Sequence, residues 1–134
     1  MNQLSILLIE DDPITNYINN RLLKTLPIPC FTRIASSSEE AIRYLEDEKM
    51  LPDFIFLEIK IPHINGVEFL KEFYTRSPEF NKDIKIIILS TISYANLRET
   101  LHEYPIHAFL TKPLTEEKMK EALETFFYSE KNRY

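Results

Sequence analysis

The sequence predicts an α/β protein: a doubly wound, five-stranded parallel sheet with five helices. Three observations carry this. Apolar runs at 4–9, 30–35, 54–57, 84–89 and 108–110 alternate with five stretches of helical periodicity. The connections are short, as repeated βα units with right-handed crossovers require. The inner runs are apolar almost throughout instead of at every second position, the pattern of strands covered on both faces.

The first run, 4–9, is interrupted only by Ser5 and ends in Glu10-Asp11-Asp12-Pro13. Proline suits a first helical position because its missing N–H is not needed there, so Asp12 is the expected N-cap and Glu10 and Asp11 stay at the strand's carboxyl end. Ile14, Ile18 and Leu22 recur every four residues, which predicts about three helical turns with that stripe inward, stopped by Pro27 and Pro29. Residues 30–35 carry Thr32 and Arg33 and read as an edge strand with a wetter face. Ser36-Ser37-Ser38-Glu39-Glu40 offers two overlapping capping boxes, Ser36 with Glu39 and Ser37 with Glu40, ahead of a helix with Ala41, Ile42 and Leu45 inward. The charged stretch 46–49 ends it as a solvated face.

The third strand, 54–57, delivers Glu58 to a loop that runs through Pro62 to Asn65-Gly66. A helix to about Ser77 should then bury Val67, Leu70 and either Phe73 or Phe69. The β-branched run 84–89 closes on Ser90-Thr91. In the fourth helix Tyr94, Leu97, Leu101 and Tyr104 share a stripe, Arg98 and His102 face elsewhere, and Pro105 is the break. A short fifth strand ends in Thr111-Lys112-Pro113, and Thr115 caps a helix carrying Met119, Leu123, Phe126 and Phe127, with Tyr128 outward. The tail 129–134 is expected to fray.

With 134 residues, 44% hydrophobic and 28% charged, the chain suits one domain, 1–134, that buries a core without staples; a single glycine leaves no room for Gly-rich linkers. A net charge of -5 with no Lys/Arg cluster argues against nucleic acid as a partner. No apolar run approaches the roughly 20 residues of a membrane span. The one cysteine, Cys30, forms no internal disulfide and reads as a buried thiol in a reducing compartment, so a cytoplasmic protein is expected.

In open parallel sheets function collects at the carboxyl ends of strands. Four of the five ends carry chemistry: Glu10 and Asp11, Glu58, Ser90, and Lys112. Carboxylates converging on one crevice repel unless a cation sits among them. A Mg²⁺ ion on Glu10, Asp11 and a loop carbonyl would serve, with the Lys112 ammonium beside it. Carboxylates, divalent ion, hydroxyl and lysine around one point describe a phosphoryl site. A helix cap plus solvated acids would explain Asp12 but not Glu10, Asp11, Glu58 and Lys112 together. His63, His102 and His107 share no ligand spacing and read as surface or strand-edge residues.

Ile6-Leu7-Leu8-Ile9-Glu10-Asp11-Asp12-Pro13, the stretch from Pro52 to Gly66 with Glu68-Phe69-Leu70 after it, Ile87-Ile88-Leu89-Ser90, and Phe109-Leu110-Thr111-Lys112-Pro113-Leu114 carry a resemblance. Together they resemble response-regulator receiver domains of two-component signalling, of the stand-alone chemotaxis-regulator type, over essentially the whole chain. The resemblance implies a flavodoxin-like strand order of 2-1-3-4-5. It also implies metal ligation by Glu10, Asp11, the residue at position 58 and the Lys60 carbonyl, a switch hydroxyl at Ser90, an aromatic switch at Phe109, and the family's lysine at Lys112 with a cis bond to Pro113. It implies a histidine kinase or phosphotransfer protein and a downstream signalling protein as partners, met on the face of the fourth helix, fifth strand and fifth helix, with a homodimer as a further option.

Two departures stand near the chemistry. Glu58 occupies the phosphoacceptor aspartate's position, and one added methylene moves the carboxylate by ~1.5 Å, enough to spoil an in-line attack. Thr91 replaces the very small residue usual after the switch hydroxyl and narrows access; Pro105, where glycine is common, reads as structural. The expectation is a receiver that is not phosphorylated at position 58 in the normal manner, either neutral or a partial mimic, since one charge and two oxygens replace about two charges and three. A working phosphoacceptor using Asp11, Asp12 or Glu58, and a flavin- or nucleotide-dependent enzyme on the same fold, remain as alternatives; the second is disfavoured because a phosphate-cradling turn needs several glycines.

Overall fold

The computed structural model describes residues 3–47, 51–59, 65–76 and 83–131. These form β1 (Leu4–Ile9), α1 (Pro13–Lys24), β2 (Cys30–Ala35), α2 (Ser38–Glu46), β3 (Phe54–Ile59), α3 (Asn65–Arg76), β4 (Lys85–Ser90), α4 (Tyr94–Leu101), β5 (Ala108–Thr111) and α5 (Glu116–Lys131). The strands make one parallel sheet in the order β2-β1-β3-β4-β5, as the sequence led us to expect. Successive side chains of a strand point to opposite faces, so each inner strand feeds two cores. Leu7, Ile9, Ile55, Leu57, Ile86 and Ile88 pack on the side of α2, α3 and α4. Leu4, Ile6, Leu8, Phe54, Phe56, Ile87 and Leu89 pack on the side of α1 and α5, against Leu23, Met119 and Leu123. Burying each such side chain contributes ~1.5–3 kcal/mol, which is why these runs are apolar on both faces.

The first helix departs from its expected phase. Ile14 and Ile18 are 69% and 56% exposed and Leu22 is half-buried, while Asn16, Asn19 and Leu23 face inward. The entry to the helix decides this. Asp12 caps it, accepting from the Thr15 N–H at 3.1 Å and the Thr15 hydroxyl at 2.6 Å, and Pro13 takes the first helical position. Glu10 is held to β2 through the Ala35 carbonyl at 3.0 Å, and the Asn16 amide donates to the Glu10 carbonyl at 2.9 Å. Those hydrogen bonds fix the rotation of α1, and the isoleucine stripe follows outward. Beside it Arg21 lies 5.8 Å from the Tyr17 ring and donates to its hydroxyl at 3.2 Å.

Of the two capping boxes, the fold takes its N-cap from the second, while the Glu40 carboxylate turns to the residue before that cap. The Ser37 hydroxyl accepts from the Glu40 N–H at 3.1 Å, and the Glu40 carboxylate accepts from the Ser36 N–H at 2.9 Å. Ala41, Ile42 and Leu45 are buried as expected, and Glu46 pairs with Arg76 of α3 at 3.1 Å. In α3 Phe69, Leu70 and Phe73 are fully buried and Val67 is half-buried. Asn65-Gly66, read from the sequence as the end of a loop, lies in the first turn of α3. Gly66 lets α3 approach β3: a Cβ there would stand 2.8 Å from Ile59 Cγ1 and 3.1 Å from the Glu58 carbonyl oxygen.

The fourth helix ends at Leu101, before Tyr104. Leu97 and Leu101 are buried, whereas Tyr94 is exposed and Tyr104 stacks on Tyr74 of α3 at 6.3 Å. The Tyr74 hydroxyl also donates to the Pro105 carbonyl at 2.6 Å, so the turn after α4 is tied to α3. Thr115 caps α5 as expected, accepting from the Lys118 N–H at 3.1 Å. That helix is assigned through Lys131, and the side chains of Phe126, Phe127 and Tyr128 lie outside the described residues. Cys30 is half-buried, not fully buried; its Sγ donates to the Ile28 carbonyl at 3.3 Å, and burial pushes its thiol above the ordinary range. Among the described residues no helix is long and apolar enough to cross a membrane.

Candidate functional site

The carboxyl ends of β1, β3, β4 and β5 meet where the sequence placed its chemistry. Glu58 stands one residue before the end of β3, paired in register with Leu89 of β4. Its side chain is only 5% exposed and forms an ion pair with the Lys112 ammonium, whose side chain is 21% exposed. Lys112 reaches it from the turn after β5, with its own N–H on the Ser90 carbonyl at 2.8 Å and a cis bond to Pro113. A charge taken out of water must be matched at close range, and this pair does that for Glu58.

Glu10, Asp11 and Glu58 line one crevice together with Ser36, Ser37, Ser38, Glu39, Gly66 and Glu68. Glu10 is buried, and its Oε2 accepts from the Asp12 N–H at 3.0 Å. Asp11 is exposed. Lys60 and His63 lie outside the described residues. Among the described residues no three His, Cys, Asp or Glu side chains come together as a metal-holding group. Of the set expected to take Mg²⁺, Glu10, Asp11 and Glu58 line this one crevice, with Glu58 paired to Lys112 and Glu10 accepting from the backbone of its own loop.

Ser90 is fully buried at the end of β4. Its hydroxyl donates to the Ile59 carbonyl at 3.1 Å and accepts from the Ile92 N–H at 3.0 Å. It is therefore spent on holding β3 to the turn after β4 and does not donate to Glu58. Thr91 is exposed beside it. Phe109 is half-buried, packed on the α2–α3–α4 core with its ring 5.2 Å from Tyr94, edge to face. The two described histidines lie outside this crevice: His102 is exposed with Nδ1 2.6 Å from the Glu99 carbonyl, and His107 sits just before β5 with its ring edge toward Phe54.

One site residue escaped the sequence reading. Asn16 holds the Glu10 carbonyl from beneath, and the signal was available: three asparagines, Asn16, Asn19 and Asn20, fall where a core-facing stripe would have no use for them.

The family profile of the response regulator receiver domain matches residues 6–124. The chain belongs to this family. This receiver domain is 29% identical over 121 residues to a probable C4-dicarboxylate response regulator, DctR, of Halalkalibacterium halodurans, covering 90% of the chain and 50% of that protein. It is 28% identical over 123 residues to the transcriptional regulatory protein MalR of Bacillus subtilis, covering 92% of the chain and again 50% of the relative. The chain thus spans about half the length of these relatives. Among solved structures, a two-component response regulator from Legionella pneumophila superposes with a TM-score of 0.78 at 28% identity, covering 94% of this chain and 97% of that one. The receiver domain of a sensor histidine kinase from Pseudomonas aeruginosa superposes at 0.76 with 21% identity, covering 92% and 97%; that structure has magnesium coordinated in its active-site cleft.

Proposed function

We propose that this receiver domain serves phosphorelay signalling through protein contacts, with its phosphoryl pocket closed by an internal ion pair. The observation that carries this is the buried Glu58–Lys112 pair. In a phosphorylatable pocket an aspartate oxygen bonds to phosphorus as the donor's leaving group departs, and the lysine meets the new charge. Here the lysine is already matched by a carboxylate one methylene longer, and the acceptor oxygen is displaced by ~1.5 Å from an aspartate's reach. Thr91, exposed beside Ser90, adds a β-branched side chain where the family has a very small one.

Between a neutral receiver and a partial mimic, Ser90 favours the neutral one, because its hydroxyl is engaged with Ile59 and Ile92 and not with the carboxylate. Partners on this reading are a histidine kinase or phosphotransfer protein and a downstream signalling protein. They dock on α4, β5 and α5, where Tyr94 is exposed against Phe109. The site functions in the cytoplasm, takes no nucleic acid and performs no catalysis of its own. Glu10 and Asp11 of the crevice are the side chains that would hold a Mg²⁺ ion, which would supply positive charge there.

The test is intact mass after incubation with Mg²⁺ and a small-molecule phosphodonor. The native chain is expected to gain no phosphate, and Glu58→Asp to gain one. Equal labelling of the two would end the closed-pocket reading, and labelling of Glu58→Asp,Asp11→Asn but not of Asp11→Asn alone would locate the acceptor at position 58.

A further inference from the structure

Lys112 can hold Glu58 only if the turn that carries it is fixed, and a second lysine supplies the fixing. Lys118, in the first turn of α5, sends its ammonium back onto the two carbonyls that bracket Lys112: Thr111 at 2.7 Å and Pro113 at 2.9 Å. With the Lys112 N–H on the Ser90 carbonyl at 2.8 Å, the backbone around Lys112 is held at three points. The Thr111 carbonyl needs such a donor, because β5 is an edge strand with β4 on one side only. The start of α5 places the donor. Thr115 accepts the Lys118 backbone N–H at 3.1 Å and the Met119 N–H reaches the Thr115 carbonyl at 3.1 Å, so the Lys118 side chain leaves the helix facing the turn.

We propose that Lys118 is the positioning residue for Lys112: its ammonium, bridging the carbonyls on either side of Lys112, sets the place from which Lys112 reaches Glu58. The inference rests on the reading of the Glu58–Lys112 pair as the pocket's central contact. Two hydrogen bonds from a cation are individually stronger than neutral ones, and both act on the same short turn. A neutral side chain of similar length would fill the space of Lys118 and leave the Thr115 cap intact, because that cap uses the backbone N–H. The turn would then lose both bonds while the helix kept its start.

The readout is the ¹⁵N-edited signal of the Lys112 ammonium, assigned by its absence in Lys112→Met, with its rate of exchange with water. In the native protein that ammonium is protected by the ion pair. Lys118→Met raises the exchange rate roughly tenfold or more, the size expected when charge-assisted hydrogen bonds are lost. Lys118→Arg, which can still donate to two carbonyls, keeps it within about twofold. Thr115→Ala weakens the helix cap and lowers the thermal midpoint without matching the exchange change. An unchanged Lys112 exchange rate in Lys118→Met overturns the proposal, whatever happens to the melting temperature, because a merely structural lysine would move the melting temperature alone. If the native protein shows no protected Lys112 ammonium, the ion pair itself fails and the closed-pocket reading fails with it, a result distinct from the first.

Discussion

At Gly66 the backbone of α3 comes close enough to β3 that a single methyl group decides the outcome. Alanine there gains helix propensity of about 1 kcal/mol, less in a first turn than in an interior. Against this, its Cβ would press on the stiff, β-branched Ile59 at 2.8 Å and on the Glu58 carbonyl at 3.1 Å, and neither can swing away. Overpacking of this kind costs ~1–3 kcal/mol. Gly66→Ala is therefore expected to lower the free energy of unfolding by roughly 1–2 kcal/mol in urea titration, and an increase in stability would show that α3 stands farther from the strand. The glycine was visible in the sequence, and so was the Asn-Gly pair. What the sequence did not show was that the pair opens a helix, because the same two residues serve turns as well and only the contact with Ile59 distinguishes the cases. Glu58, by contrast, was fully legible as the acid at the end of a buried strand. Its pairing with Lys112, more than fifty positions away in the chain, needed the fold.

Among the elements α1 gives the clearest lesson about pattern and position. A regular stripe of Ile14, Ile18 and Leu22 reads as a core face, yet capping by Asp12 and the Asn16–Glu10 hydrogen bond turn it outward. Local hydrogen bonds at a helix start fix rotation more tightly than a few apolar contacts can, since a buried amide and carbonyl left unmatched are costly. Two substitutions test this in opposite directions. Ile18→Ser, drastic on the sequence pattern, should change stability by no more than about 0.5 kcal/mol, as for other exposed positions. Asn16→Ala, mild on the same pattern, should cost roughly 1–3 kcal/mol through the lost buried hydrogen bond. The reverse ranking in denaturant unfolding would mean that the isoleucine stripe is the packed face. The strands needed no such correction. Their apolar runs are long enough, and buried enough on both sides, that no competing signal exists within them.

For the whole molecule, the apolar patterns separate an edge strand from inner ones, while the full sheet order was implied by the family resemblance. Residues 30–35 were legible as an edge because Thr32 and Arg33 tolerate water, and the fold places β2 there, bonded to β1 alone. The other edge is β5, and the residue just before it, His107, brings a pH-sensitive group into the global balance. His107 donates its backbone N–H to Ile86 at 2.8 Å and sets its ring against Phe54. Desolvation, and after it the nearby Lys85 charge, lower its pKa below the ordinary 6.5, with a backbone hydrogen bond at Ala122 opposing them. The unfolded chain then binds a proton at a higher pH than the folded chain does. Stability therefore rises with pH wherever the unfolded state holds more protons, so His107 contributes none of this penalty well above 6.5 and an increasing one as pH falls from 6.5 toward the folded pKa. Its partial exposure keeps the effect modest, since water reaches the ring. Urea midpoints measured from about pH 7.5 down to about pH 5.5 should fall, and His107→Gln should flatten the part of that fall centred near the histidine range. An equally steep fall in His107→Gln would show that His107 is not its source.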